Sequence, residues 1–329
     1  MPAKAAEQLG DVLARGGPRL RALLDATELR LAGVAEGYGD ALSAHVAQTL
    51  TAGGKRLRPI LVFITGGSAT GEALVAAGAA VELLHMATLV HDDVLDRAEL
   101  RRGTRTVYAQ GGRGAATATG DLLFSRAFAL LAATGEREAL RALSDASSAL
   151  ARGELLQRED AWSPAVTPER YLERCRLKTA PLFSASCRLG AILGDPGPEA
   201  ADSLARFGEG IGLAFQLFDD VLDVSGPPEV TGKPRGTDLL DGTVTLPLIV
   251  ARERDADLRA LDLRGAAHDH ASAAALCDRI AATGALEETR DQALDHVRRA
   301  KAALEDVELD DAQRELLEVI ANGVADRQA

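Results

Sequence analysis

The stretch "ALVAAGAAVELLHMATLVHDD" covers residues 73–93 and is the most apolar run in the chain. Its length would allow a membrane crossing, but Glu82, His85 and His91 interrupt it. It therefore reads as a helix buried in a protein core, and no membrane span is expected. The run ends in "HDDVLD", residues 91–96, and the same acidic spacing returns as "FDDVLD", residues 218–223. Two apolar helices that each end in three carboxylates point to an all-helical body built around a site for positive charge.

Composition agrees. Of 329 residues, 47% are hydrophobic and 26% charged, which is ordinary for a globular protein. Aromatic residues are only 3%, so the core is built from Ala, Leu and Val, which favours closely packed helices. A net charge of -12 with no long basic stretch argues against nucleic acid as a partner. Cys175, Cys187 and Cys277 are odd in number, far apart and without a Cys-x-x-Cys pair. They imply a reducing, cytoplasmic compartment and no structural zinc. The leading "MPAKAAEQLGDVLARGG" has no apolar core of signal-peptide type.

Helical periodicity runs through nearly the whole chain, with no convincing alternating strand. Helices are expected over 18–51, from Pro59, and over 72–96, 115–133, 138–159, 168–193 and 199–223. Others follow near 247–263, 270–283, 286–305 and 310–325. Residues 225–247, rich in Gly, Pro and Thr, read as a loop long enough to act as a lid. No linker divides the chain, so residues 1–329 read as a single antiparallel helix bundle.

On a helix, residues four apart share a face, which pairs Asp92 with Asp96 and Asp219 with Asp223. Gln216 precedes Asp220 by four. All-oxygen ligands suit Mg²⁺ or Mn²⁺ rather than Zn²⁺. Mg²⁺ takes one or two protein carboxylates and fills its shell with water and phosphate, so facing clusters would hold several ions around one diphosphate. The plain alternative is a pair of solvated helix ends, but carboxylates at a helix C-terminus oppose its dipole. Basic residues gather at "GGKRLRP" and "LRRGTR". Lys55 with Arg58, and Arg101 with Arg102, each suit phosphate oxygens. His85 lies two turns before Asp92; alone it would read as a core residue, as does His91. Lys178 and Thr179 sit inside a helix before Pro181, and Lys233 and Arg235 fall in the lid. Surface charge is the plain alternative for each. Metal-binding carboxylates beside two basic clusters imply two diphosphates.

In chain order, the motifs are "GGKRLRP" (53–59), "HDDVLD" (91–96), "LRRG" (100–103), "GD" (120–121) and "GELLQ" (153–157). Then come "KT" (178–179), "FQLFDDVLD" (215–223) and "GKPRGTDLLDG" (232–242), leading into "TLP" (245–247). This ordered set resembles the trans-type isoprenyl diphosphate synthases, the polyprenyl synthetase family. The resemblance implies an all-α bundle around a deep central cavity, and a homodimer. It implies Mg²⁺-dependent 1'-4 condensation of isopentenyl diphosphate with an allylic diphosphate. It assigns metal to Asp92, Asp93, Asp96, Asp219, Asp220 and Asp223. Arg101, Lys178, Thr179, Gln216 and Lys233 become allylic-side contacts, and Lys55, Arg58, His85 and Arg102 the isopentenyl site. Thr243 stands where the family commonly has a second lid lysine, so that contact is lost or supplied by Arg235.

In the family, bulky residues just before the first acidic motif limit product length. Here Met86, Ala87 and Thr88 are small or flexible, so a medium-to-long polyprenyl product is expected. A C20 product is the alternative, with a floor from elsewhere such as Phe124 or Phe128. A terpene cyclase or head-to-head synthase of related fold would not need "GGKRLRP" and "RRG". A non-catalytic subunit of a heteromeric synthase would typically lose the acidic motifs.

Overall fold

The computed structural model describes residues 10–51, 54–101, 103–195, 197–227 and 234–326. The first helices are α1 (Gly17–Gly33) and α2 (Asp40–Thr51). The sequence pattern had suggested one helix here; Gly37 and Gly39, at φ 89° and 78°, break it. Then come α3 (Leu57–Thr65) and α4 (Glu72–Leu95). A short antiparallel hairpin follows, β1 (Leu100–Arg101) with β2 (Thr104–Arg105), which periodicity did not reveal because each strand has two residues.

The helix expected over 115–133 starts earlier, as α5 (Val107–Ala132), with a kink at Gly112. Thr106 starts it by accepting from the Ala109 N–H at 3.0 Å. Next is α6 (Arg137–Glu159). The helix expected over 168–193 is two, α7 (Pro168–Lys178) and α8 (Ala180–Gly194), divided at Thr179. Pro181 has no N–H to continue the α7 ladder, so the axis breaks there. After α9 (Pro198–Ser225) come α10 (Thr237–Leu240), α11 (Leu246–Arg254), α12 (Ala256–Ala260) and α13 (Leu263–Ala266). Three helices close the chain: α14 (His270–Ala281), α15 (Ala285–Ala302) and α16 (Asp311–Ala325).

Two long helices organise the packing. α4 packs against α1, α3, α5 and α8, and α9 packs against α8, α14, α15 and α16. α8 touches both, so it bridges the helices that carry the two acidic motifs. α4 is long and apolar enough to cross a membrane, but 78% of that window is buried inside the protein. One hydrophobic core runs from Val12 to Val324. Small residues let the backbones close: a Cβ at Gly208 would lie 2.5 Å from the Phe183 carbonyl oxygen on α8. Alanine there would force the crossing apart at about 1–3 kcal/mol.

The basic loop before α3 has its own anchor. Arg56, at φ 47° and 8% exposed, donates to Glu82 at 2.7 Å, Glu28 at 2.5 Å and the Leu50 carbonyl at 3.0 Å. It ties α1, α2 and α4 together and so holds Lys55 and Arg58 on either side of it.

Candidate active site

The cleft face of α4 is visible in its burial pattern. His85, Thr88 and Asp92 are half-buried and Asp96 is exposed, at intervals that put them on one side of the helix. Met86 and Asp93, 2% and 5% exposed, lie on another side. They line a cavity with Gln48, Leu89, Val90, Arg101 and Val107, between α2, α4, α5 and the hairpin. Met86 therefore lies on a different face of α4 from Asp92. Ala87 is fully buried. Phe124 is 37% exposed.

α9 shows the same division. Gln216, Asp219 and Leu222 are half-buried along one face, whereas Asp220 and Asp223 are each 2% exposed. The Lys178–Thr179 break between α7 and α8 joins the two acidic ends. Lys178 pairs with Glu154, and its charge also acts on Asp92. Its neighbour Thr179 donates to Gln216 Oε1 at 2.6 Å, and Gln216 Nε2 donates to Asp220 Oδ1 at 2.7 Å. A continuous helix would have carried these two side chains to different faces.

The first acidic group is surrounded by cations. Arg101 Nε donates to Asp93 Oδ1 at 2.7 Å. Arg158 Nη2 donates to Asp96 Oδ1 at 2.7 Å, and its Nε to Glu154 Oε1 at 2.9 Å. Burial pushes Asp92 up to about 6; Lys178 opposes the rise, and Glu154 and Asp96 reinforce it. Burial also raises Asp93 against the pull of Arg101. For Glu154 burial is outweighed by Lys178 and Arg158, and its carboxyl lies below the usual range.

In the second group, Asp220 is held by neutral donors. Tyr171 OH donates to Asp220 Oδ2 at 2.6 Å, opposite the bond from Gln216. Burial pushes Asp220 up to about 7, with those two hydrogen bonds opposing it. Asp223 Oδ2 accepts from the Asp238 N–H at 3.2 Å, and its carbonyl from the Gly236 N–H at 2.9 Å.

Asp223 thus fastens the limb that returns from the expected lid. Trp162 N–H donates to the Gly242 carbonyl at 2.8 Å, and Arg174 Nη2 to the Val244 carbonyl at 2.5 Å. Gly242 sits at φ 77°, and a Cβ there would lie 2.3 Å from the Trp162 ring. Arg235 does not replace the missing lysine at Thr243. Its Nε donates to the Val224 carbonyl at 2.8 Å and its Nη2 to Asp278 at 2.7 Å.

On the other side, Arg58 lies 4.4 Å over the Phe183 ring, and Lys55 is half-buried just before α3. His91 pairs with Asp121 at 3.2 Å, and a Cβ at Gly120 would lie 2.3 Å from His91 Nε2. The "GD" pair thus seats His91. Arg102, Lys233, Gly53 and the central part of the lid, 228–233, lie outside the described residues.

Tyr171, Arg158 and Arg174 escaped the sequence reading, and Glu154 appeared only inside the quoted "GELLQ". Among the described residues, no three carboxylate, histidine or cysteine side chains converge to chelate an ion unaided. That fits a hard cation that takes one or two carboxylates and completes its shell with phosphate and water. Half-buried Asp92, with Asp96 and Glu154 close enough to repel its charge, offers the oxygen donors and the negative potential such an ion needs.

The polyprenyl synthetase family model matches residues 40–280. A short chain isoprenyl diphosphate synthase of Methanothermobacter thermautotrophicus is 38% identical over 288 residues, which cover 85% of this chain and 88% of that protein. Heptaprenyl diphosphate synthase component 2 of Geobacillus stearothermophilus is 39% identical over 252 residues, 76% of this chain and 78% of that one. A polyprenyl synthase of Caulobacter crescentus CB15, solved in complex with calcium and isoprenyl diphosphate, superposes with a TM-score of 0.86 at 36% identity. That alignment covers 94% of this chain and 98% of that chain. The relatives share the ordered motifs' family and the helical fold, and the chain accordingly belongs to the polyprenyl synthetase family, the trans-isoprenyl diphosphate synthases, and is a prenyltransferase.

Proposed function

We propose that this prenyltransferase condenses isopentenyl diphosphate with an allylic diphosphate in 1'-4 fashion and releases a medium-to-long polyprenyl diphosphate. The observation that carries this is the Lys178–Thr179 junction, where the charge of Lys178 acts on Asp92 at the end of α4 and Thr179 bonds Gln216 on α9. Asp92, Asp96 and Asp219, on the cleft faces, would hold Mg²⁺, with Mn²⁺ as a substitute. When bound, the ions neutralise charge developing on the departing diphosphate. Asp93, Asp220 and Asp223, read from sequence as ligands too, are the buried members of each cluster and hold its geometry.

Lys178, Thr179, Gln216 and Arg101 grip the allylic diphosphate, with Lys233 completing the grip from the lid. Lys55, Arg58, His85 and Arg102 hold the isopentenyl diphosphate. The allylic C–O bond breaks with its electron pair on the diphosphate. The isopentenyl double bond supplies the pair for the new C–C bond, and the departing diphosphate takes the proton released next to it. Cationic side chains already aimed at the diphosphate stabilise the separation of charge without reorganising. A closed lid keeps water from the cation.

Product length follows from Ala87 and Thr88. Thr88 donates its hydroxyl to the His85 carbonyl at 2.8 Å, so no bulky group stands one turn before Asp92. The test is incubation with Mg²⁺, isopentenyl diphosphate and allylic starters from C5 to C20, with products sized by mass spectrometry. Products beyond C20 are expected; a clean stop at C20 would overturn the length, and no condensation from folded protein would overturn the activity. A cytoplasmic homodimer completes the proposal, supported by three buried free cysteines and by Phe124, exposed on α5 5.0 Å from Phe128.

A further inference from the structure

We propose that Tyr171 is a positioning residue of the second acidic cluster, acting through Asp220 to aim Asp219 and Gln216 at the diphosphate. The inference rests on the proposed condensation. It adds a residue that belongs to none of the motifs quoted from the sequence.

Three observations carry it. Both oxygens of Asp220 are already engaged from opposite sides, Oδ2 by Tyr171 OH at 2.6 Å and Oδ1 by Gln216 Nε2 at 2.7 Å. Asp220 and Tyr171 are 2% and 1% exposed, while the next residue, Asp219, faces the cleft. The same hydrogen-bond path continues through Gln216 Oε1 to Thr179 Oγ1 at 2.6 Å. The order Tyr171, Asp220, Gln216, Thr179 therefore runs from the core to the junction beside Lys178.

The physical consequence is directional. A carboxylate held by two donors on opposite sides has one orientation. Gln216 must then present its carbonyl to Thr179, because its amide nitrogen is committed to Asp220. Removing the phenol hydroxyl frees Asp220 to rotate, and the amide of Gln216 loses its fixed sense. The Tyr171 ring itself stays buried, stacked 5.3 Å from the Arg174 guanidinium. Phenylalanine keeps that ring and removes only the hydroxyl, so the substitution isolates the bond.

The experiment compares the parent chain with Tyr171→Phe by titration calorimetry, using Mg²⁺ with inorganic pyrophosphate, together with the Mg²⁺ concentration for half-maximal condensation. Thr289→Val, which removes a buried hydroxyl bonded to the Ala285 carbonyl at 2.8 Å, is the control for lost stability alone. For Tyr171→Phe we expect about tenfold weaker binding and a matching rise in the Mg²⁺ requirement, with parent-like binding in the control. Parent-like binding in Tyr171→Phe, with only a lower Tm, overturns the inference while leaving the condensation intact. A parent chain that makes no product sinks the underlying reading instead. If Tyr171→Phe does not fold, the unmodified chain still decides. Its three tyrosines, ¹³C-labelled and told apart with Tyr38→Phe and Tyr108→Phe, are followed by NMR. A Tyr171 ring signal that shifts when Mg²⁺ and pyrophosphate are added supports the proposal, and one that stays still overturns it.

Discussion

The ends of α4 and α9 carry the same five letters, "DDVLD", yet they are held in opposite ways. At α4, Asp93 and Asp96 are each paired with a guanidinium, and the charge of Lys178, paired with Glu154, acts on Asp92. At α9, Asp220 is held by a phenol and an amide, neither of them charged. The first cluster is balanced by ion pairs that a metal and a diphosphate can exchange. In the second, Asp220 is fixed in direction by its two donors. An identical sequence thus gives an exchangeable half and a rigid half.

Removing Asp219 should break this comparison most visibly. Asp219→Ala deletes the cleft-facing carboxylate of the rigid half, and a loss of about a thousandfold in kcat is expected, comparable to removing a main electrostatic stabiliser. Steady-state kinetics at saturating Mg²⁺ check it; activity within tenfold of the parent would take the α9 end out of the chemistry.

A substitution at Gly153 tests the junction that the two halves share. A Cβ there would lie 2.5 Å from the Lys178 backbone nitrogen and 2.6 Å from the Leu177 carbonyl carbon. Gly153→Ala must push α6 from α7, at about 1–3 kcal/mol. A lower Tm in thermal melts should come with weaker allylic diphosphate binding, because Lys178 and Thr179 move together. A lower Tm with unchanged KM would show that the junction tolerates displacement.

The smallest effect is expected at Arg158. Its pairs with Asp96 and Glu154 are partly exposed, so each contributes at most about 1 kcal/mol. Arg158→Gln removes a cation that competes for Asp96, and Mg²⁺ binding without substrate should tighten by up to about fivefold. Calorimetry at two ionic strengths checks it. Weaker Mg²⁺ binding would mean that Arg158 orients Asp96 rather than competes for it.

Much of this was legible in the chain itself. α4, α6, α9 and the last three helices fall close to the expected boundaries, because each shows a long amphipathic or apolar period. Asp92 and Asp96 were legible from spacing, since four residues return a helix to the same face, but the same rule paired Asp219 with Asp223 and Gln216 with Asp220, whose carboxylates the structure buries. The break at Thr179 was missed, although Pro181 stood in view, because the apolar pattern continues across it. Tyr171 was missed because a tyrosine in a helical stretch reads as core, and its partner lies 49 positions away. Of the two alternatives at Thr243, a lost contact or one supplied by Arg235, the second is disfavoured because Asp278 and the Val224 carbonyl hold Arg235.

By itself the sequence determined an all-helical body, its two acidic helix ends and the chemistry those ends can perform. Residue type and local period are properties of short segments, and they survive without knowledge of distant contacts. Only the tertiary structure decided which carboxylate of each cluster faces the cleft and which is buried as an anchor. That choice depends on donors from α6 and α7, brought near α4 and α9 by packing, and no spacing within either motif records it.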